Sequence, residues 1–286
     1  MTTPVVNISP NNPVFDLPIY VARDEGLFAR AGIEVRLQAK YSERRPSDAD
    51  PFQRLKEALF EQGKADVYNL CEWAGIDRSE NSARGAQVLA LRPAVAAQAI
   101  LSLDPAIQEP RDLAGVPIGI NERTGSHYTT LQSLEGVLAR ADIVVEHVGV
   151  PERRYQALKE RASRAVAVME PFISLGLKEG AHLVDVTFYR GAEVIAPHLT
   201  ADEREAYLSA INEAADRIMA DFGKYKHYVT EQTHGALAPH ELANHFARYT
   251  HYMVYEPKRF QQVYEWMRSW GLASGEADHA RVVASL

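Results

Sequence analysis

The segment DLPIYVARDEGLFARAGIEV, residues 16–35, changes from one hydrophobic period to another across a single glycine. Ile19, Ala22, Leu27 and Phe28 recur at helical spacing from about Pro18, and Gly32 is a helix stop. The residues that follow, IEVRLQ, alternate apolar and polar as a half-buried strand does. Before this segment, VVNIS (Val5 to Ser9) reads as a strand that ends in the turn-forming PNNP. After it, PFQRLKEALFEQG places Phe52, Leu55, Leu59 and Phe60 on one helical face, with Gly63 as its stop, and ADVYNLC reads as a third strand. Strands that alternate with helices in this way imply βαβ units and a mainly parallel sheet.

The same alternation resumes further on. VLAL and AAQAIL are apolar runs suited to a chain leaving a first lobe. DLAGVPIGIN gives a helical turn, a stop at Gly115 and a strand from Pro117 to Ile120. SHYTTLQSLEGVLAR reads as a helix with Ser126 as N-cap. IVVEHV, RRYQALKER, AVAVME and PFISLGLKEG continue the series, and LVDV with FYRGAEVI reads as the return path. From His198 onward helices are expected almost throughout, including LAPHELANHFARYTHY; Thr200 and the acids after it suit a helix start.

At 286 residues the chain suits one large domain or two modest ones, and its composition is that of an ordinary globular protein. A net charge of −7 argues against nucleic acid or an anionic membrane as partner. The single cysteine, Cys71, excludes an internal disulfide and cysteine-based metal clusters. No apolar run is long enough to cross a bilayer. MTTPVVNISP has none of the three parts of a secretory leader. A native start at Met1 therefore predicts a cytoplasmic protein, and a removed leader predicts a periplasmic or lipid-anchored one.

DLPIYVARDEGLFARAGIEVRL resembles the opening of the sulfonate-, taurine- and thiamine-pyrimidine-binding receptors, a branch of the type 2 periplasmic-binding-protein superfamily. GKADV (63–67), DLAGVPIGI (112–120), VMEPFISLGLKEG (168–180) and WMRSWGL (266–272) fall in that family's order. The resemblance implies a two-lobed α/β fold with a central cleft and a helical C-terminal segment. Lobe 1 would comprise residues 1–91 and 191–286, and lobe 2 residues 92–190. Open α/β sheets independently place ligands beyond the carboxyl ends of their strands.

The candidate site follows from that geometry. Asn11, Asn12, Phe15 and Asp16 occupy the loop after the first strand, with amides as adaptable hydrogen-bond partners. Cys71, Glu72 and Trp73 follow the third strand; Trp73 would stack on a planar ligand and Glu72 would accept hydrogen bonds. Thr124, Gly125, Ser126, His127 and Tyr128 open a helix, and backbone N–H groups with two hydroxyls suit an anionic group. An ordinary capped helix accounts for the same residues. Arg92 would pair with an anion, Glu170 and Pro171 end a strand of the second lobe, and Tyr189 and Arg190 lie on the hinge side. Five histidines (227, 234, 240, 245 and 251) lack the spacing of a zinc helix and read as surface or interlobe residues. Neither a metal nor a cofactor is expected.

Two functional classes remain open. The first is a receptor that hands a small organic anion or heteroaromatic compound to the permease of an ABC-type importer. The second is a cytoplasmic enzyme on the same scaffold, because the resembled superfamily includes desulfinases, pyrimidine-forming thiamine enzymes and decarboxylases. Asn11 and Asn12 stand where the desulfinases carry a cysteine, and the pyrimidine-forming enzymes' cysteine-rich iron motif is missing. An enzyme would rely on Cys71, Glu72 and His127, in a hydrolase or lyase step on a small aromatic acid.

Overall fold

A computed structural model describes residues 3–39, 50–273 and 275–285; Met1, on which the leader reading turns, lies outside them. The elements in chain order begin with β1 (Val5–Ile8), α1 (Pro13–Asp24), α2 (Leu27–Arg30), β2 (Glu34–Leu37), α3 (Leu55–Glu61), β3 (Val67–Cys71) and α4 (Glu72–Asn81). The long strand β4 (Gln87–Ser102) leads to β5 (Ile118–Ile120), α5 (Gly125–Leu134), β6 (Val145–His147), α6 (Pro151–Lys159), β7 (Ala165–Val168) and α7 (Phe172–Lys178). A second long strand, β8 (His182–Ile195), returns to α8 (Ala201–Ala220), α9 (Phe222–Thr230), β9 (Ala247–Tyr249), α10 (Pro257–Ser269) and α11 (His279–Val282).

One sheet runs through the molecule in the order β2-β1-β3-β8-β4-β7-β5-β6, with β9 added on β4. Its two flanks are parallel, β1 with β2 and β3, and β5 with β6 and β7. Between them β4 and β8 pair antiparallel as a ribbon; β3 joins one end at Gly191–Ile195, and β7 the other at Ala99–Ser102. Each flank with its helices is one lobe, so the α/β two-lobed architecture is present. VLAL and AAQAIL, read above as separate runs, are one strand, as are LVDV and FYRGAEVI. Pro93, which cannot donate to a ladder, falls where the β4–β8 register shifts between Leu91 and Val95.

Helix α1 starts five residues earlier than its apolar stripe implied, at Pro13. Asn12 is its N-cap, the Oδ1 atom accepting from Val14 N at 3.0 Å, and Pro13 takes the first-turn position where a missing N–H costs nothing. Pro18 lies inside the helix and leaves the Val14 carbonyl without its usual donor. Tyr249 supplies one instead, its hydroxyl donating to Val14 O at 2.8 Å. The helix ends before Gly26, whose φ of +71° is left-handed, so the segment is two helices rather than one.

Helix α5 is shorter than expected and has Thr124, not Ser126, at its N-cap position. LAPHELANHFARYTHY is not a helix: only Pro239–Glu241 forms a turn of 3₁₀, and Ala247–Tyr249 joins the sheet as β9. Its apolar residues fit a helical period, but pairing with Ala94–Ala96 of β4 satisfies its backbone instead. Helix α8 carries the expected start, a capping box in which Thr200 Oγ1 accepts from Glu203 N and Glu203 accepts from Thr200 N.

Candidate functional site

A cavity of about 120 Å³ lies between the lobes, at the carboxyl ends of β1, β3, β5, β6 and β7. Pro10, Asn11, Asn12 and Phe15 wall it from the first lobe, with Arg54, Lys56 and Glu57 around the start of α3, and Leu70, Cys71 and Ala74. The second lobe contributes Asn121, Thr124 and Gly125, then Val150, Pro151, Arg154 and Met169; Tyr189 comes from the crossing strand β8. Short strands that end at this level, each followed by a loop or helix start, deliver these side chains to one place.

Seven of the sequence candidates reach the cavity wall: Asn11, Asn12, Phe15, Cys71, Thr124, Gly125 and Tyr189. Asn11 is held by its neighbours, its backbone N–H donating to Asp16 Oδ2 at 2.6 Å and its amide to Asn69 Oδ1 at 2.5 Å. Asn69 in turn donates to Asp16 Oδ1 at 2.5 Å. The Phe15 and Tyr189 rings meet with centroids 5.3 Å apart. Gly125 is required beside Tyr189, because a Cβ there would run into the phenol oxygen.

The other candidates turn away from it. Asp16 and Arg92 are fully buried and paired at 3.2 Å, and Arg92 also meets Glu193 at 2.6 Å. Arg92 is thus a counter-ion inside the fold and does not line the cavity. Glu72 is gripped by Arg259 through two bonds of 2.6 and 2.7 Å. Trp73 stacks on Tyr128, centroids 5.7 Å apart, so its face is covered by protein. Ser126 accepts from Asn121 N at 2.9 Å, and Thr124 donates to Asn121 O at 2.7 Å, so both hydroxyls serve their own turn. His127 Nδ1 accepts from Arg123 N at 3.2 Å. Glu170 accepts from the Ser174 hydroxyl and N–H. Arg190 donates to the Arg92 carbonyl at 2.8 Å and to Thr250 and His251, bracing the bulge in the crossing ribbon. The shared cause is that α4 begins directly after β3 and α5 directly after its loop, so alternate residues face helix neighbours rather than the cleft.

Arg54, Lys56, Glu57, Asn121, Arg154 and Met169 were not singled out from the sequence. The polar residues of RLKE sit among the apolar ones that defined α3, and Arg154 among those of α6; their position beyond strand ends was the signal available. Arg54 Nη2 donates across the cleft to Glu122 O at 2.8 Å, as Arg78 Nη2 does to Arg123 O at 2.9 Å. Lys56 donates to Asn69 O at 3.1 Å and to Asn11 Oδ1 at 3.4 Å. Arg154, also buried, donates to Ala167 O at 2.6 Å and to Gly149 O.

Burial sets the protonation here. It lowers Lys56 below the usual lysine range, although the Glu57 charge resists this. Burial likewise pushes the Cys71 thiol up to about 11 and pulls His127 down to about 4, leaving a neutral imidazole. Glu170 is pushed up to about 7 by burial, against the bonds from Ser174 and the charge of Lys226.

A sheet carried by two crossing strands, with a cavity between the lobes, defines a class: the periplasmic-binding-protein fold. Among solved structures, the aliphatic sulphonate-binding protein SsuA of Escherichia coli shares it at a TM-score of 0.74 and 14% identity, over 99% of this chain and 98% of that one. The ligand-binding component of an ABC-type import system from Staphylococcus aureus gives 0.74 at 15% identity, over 98% and 96%. The desulfurization enzyme DszB gives 0.66 at 13% identity, also over 98% and 96%. No protein-family model matches the sequence, and no curated protein does. Among the described residues, no helix is long and apolar enough to cross a membrane.

Proposed function

We propose that the interlobe cavity binds a small organic anion and that the chain acts as the solute receptor of an ABC-type importer. The observation that carries this is the charge of the wall. Among the described residues, the wall carries the cations Arg54, Lys56 and Arg154 beside one carboxylate, Glu57, in a chain whose net charge is −7. The first turn of α5 adds the positive end of a helix at Thr124 and Gly125. Phe15, Leu70, Met169 and Tyr189 give the ligand an apolar contact surface. The E. coli and S. aureus proteins of the same fold are named as a sulphonate-binding protein and an import component, which accords with this role. In this reading the lobes are 1–91 with 191–286, and 92–190; the ribbon of β4 and β8 is the hinge, the partner is a permease, and the location is periplasmic or lipid-anchored.

A second reading, a hydrolase or lyase acting on a small aromatic acid, is favoured by Cys71 in the cavity wall and by the shared fold of DszB. Against it, a thiol held near 11 is protonated at neutral pH, and Glu72 and His127 face elsewhere. A thermal-shift screen with sulfonates, aromatic carboxylates and pyrimidines separates the readings. A ligand at 100 times its Kd adds about 2.7 kcal/mol of stability. Stabilisation by anions, with ligand recovered unchanged, is the expected result. Turnover of a hit would overturn the receptor role, and no stabilisation by any anion would overturn the anion site.

A further inference from the structure

We infer that the two lobes part along one side only, and that the cavity fills and empties there. Each side of the cleft is bridged by residues of both lobes, and the two bridges differ in make. On one side four rings form a row across the boundary. Tyr128 of α5 stacks on Trp73 of α4 at 5.7 Å, Trp73 meets Trp266 of α10 at 6.1 Å, and Trp266 meets Trp270 at 6.5 Å. Tyr128 and Trp73 are buried. Trp266, Trp270 and Leu272 also pack against the second lobe's own core around Ile118, Leu131 and Leu134. Both indoles donate to Glu135 at the end of α5. Arg140 pairs with that carboxylate at 2.9 Å and donates to Ser269 O at 2.7 Å. Helix α10 thus starts on the first lobe, where Arg259 holds Glu72, and ends on the second.

The other bridge is polar. Lys178 of α7 pairs with Glu241 at 2.7 Å and donates to Ala236 O at 3.1 Å. Ser174 Oγ accepts from Ala243 N at 3.0 Å, and Glu152 of α6 accepts from Gln232 at 3.1 Å. The Lys178 and Glu241 side chains are 45% and 30% exposed, so water already reaches this latch. The two bridges lie on opposite faces of the second lobe's sheet, as the alternation of β7 shows. Ala165 and Ala167 belong to the core cluster that holds Leu131 and Leu134 of α5, Val166 and Val168 to the one that holds Tyr155 of α6 and Phe172 of α7. Parting the aromatic row would wet several large rings and strip the indole donors of their acceptor, whereas water replaces each bond of the latch nearly in kind. Glu152 lies in the chain between Pro151 and Arg154, which wall the cavity, so release of the latch frees that wall directly. The row is the fixed side of the hinge and the latch is the gate, whether the occupant is handed on or converted.

The test uses the whole chain. All three of its tryptophans, Trp73, Trp266 and Trp270, lie in the row, so intrinsic tryptophan emission reports that side alone. Spin labels on Arg153→Cys and His240→Cys, both exposed positions, report the latch side by double electron–electron resonance, and the buried Cys71 stays unlabelled. Lys178→Ala is expected to lengthen and broaden the distance between the labels by several ångströms, with the emission maximum and its quenching by acrylamide unchanged. Glu241→Gln reads the same latch, should Lys178→Ala fold poorly. Red-shifted or more quenchable emission in the variants would show that the row opens as well. An unchanged distance between the labels would show that the latch does not hold the lobes. Either result would overturn the inference.

Discussion

Arg92 and Arg54 are both buried cations near carboxylates, but their surroundings differ in kind. Around Arg92, Asp16 and Glu193 stand at 3.2 and 2.6 Å, and the Tyr207 hydroxyl donates to Glu193 at 3.0 Å. Burial pushes Glu193 up to about 7, against the charge of Arg92 and the bond from Tyr207. That cluster is closed off inside the fold, tying α1, β4, β8 and α8 together and meeting the cavity through the bonds that Asn11 donates to Asp16 and Asn69. The cluster of Arg54, Lys56, Glu57 and Arg154 is open to the cavity, and among the described residues neither Glu57 oxygen accepts a hydrogen bond. Charges packed inside the fold hold it together, whereas charges that border a cavity are placed to meet what enters it.

The largest expected effect breaks the closed cluster. Arg92→Met leaves Asp16 and Glu193 buried without their cation and should cost about 3–5 kcal/mol of unfolding free energy, read by urea denaturation. A loss below about 1 kcal/mol would show that the cluster is not a structural unit.

The next concerns pH. Glu170 is about 7 in the folded state against an ordinary 4.5, so between those values the unfolded chain ionises first and stability falls as pH rises. His127 is about 4 against 6.5, so the unfolded chain protonates first as pH falls, and stability is lost in the acid direction. Each is worth about 3 kcal/mol at its limit, with opposite sign over nearly one window. The wild-type curve between pH 4.5 and 7 is therefore expected to be flatter than either single variant's. Glu170→Gln should leave a protein that loses stability in acid, and His127→Gln one that loses it in base. Parallel curves for all three would refute the assignment.

A smaller effect separates binding from folding in the open cluster. Lys56→Gln removes a buried amine that burial already disfavours, so stability should hold or rise. Anion affinity should fall about tenfold. Loss of stability with unchanged affinity would place Lys56 with Arg92 as a structural ion. The smallest concerns Cys71: with the thiol near 11, alkylation by iodoacetamide should be slow at pH 8, and Cys71→Ser should leave ligand affinity within about twofold. Rapid alkylation at pH 7 would revive the nucleophile reading.

Much of the scaffold was legible because periodicity reports burial directly. The stripe of Ile19, Ala22, Leu27 and Phe28, the alternation after Gly32 and the glycine stops all correspond to elements of the sheet and its first helices. The Pro13 start of α1 was not legible, since it depends on a hydroxyl from Tyr249, 235 residues away, to compensate Pro18. The β9 segment was hidden for a related reason: its partner, Ala94–Ala96, is distant in sequence. At the candidate site, loops after strands lead to the cavity wall at Asn11, Phe15, Cys71 and Thr124. Which face of a helix start meets the cleft depends on tertiary packing, and that turns Glu72, Trp73, Ser126 and His127 away from the cavity wall. Arg54, Lys56 and Glu57 escaped notice because their neighbours were read for apolar spacing alone.

The most direct measurement is calorimetric titration of the wild-type protein with a short organic anion and with its neutral amide isostere, at two salt concentrations. A cavity wall that carries Arg54, Lys56 and Arg154 predicts saturable one-to-one binding of the anion, weakened by Lys56→Gln, and no measurable binding of the amide. Equal affinity for the amide, or anion binding that Lys56→Gln leaves unchanged, would contradict it.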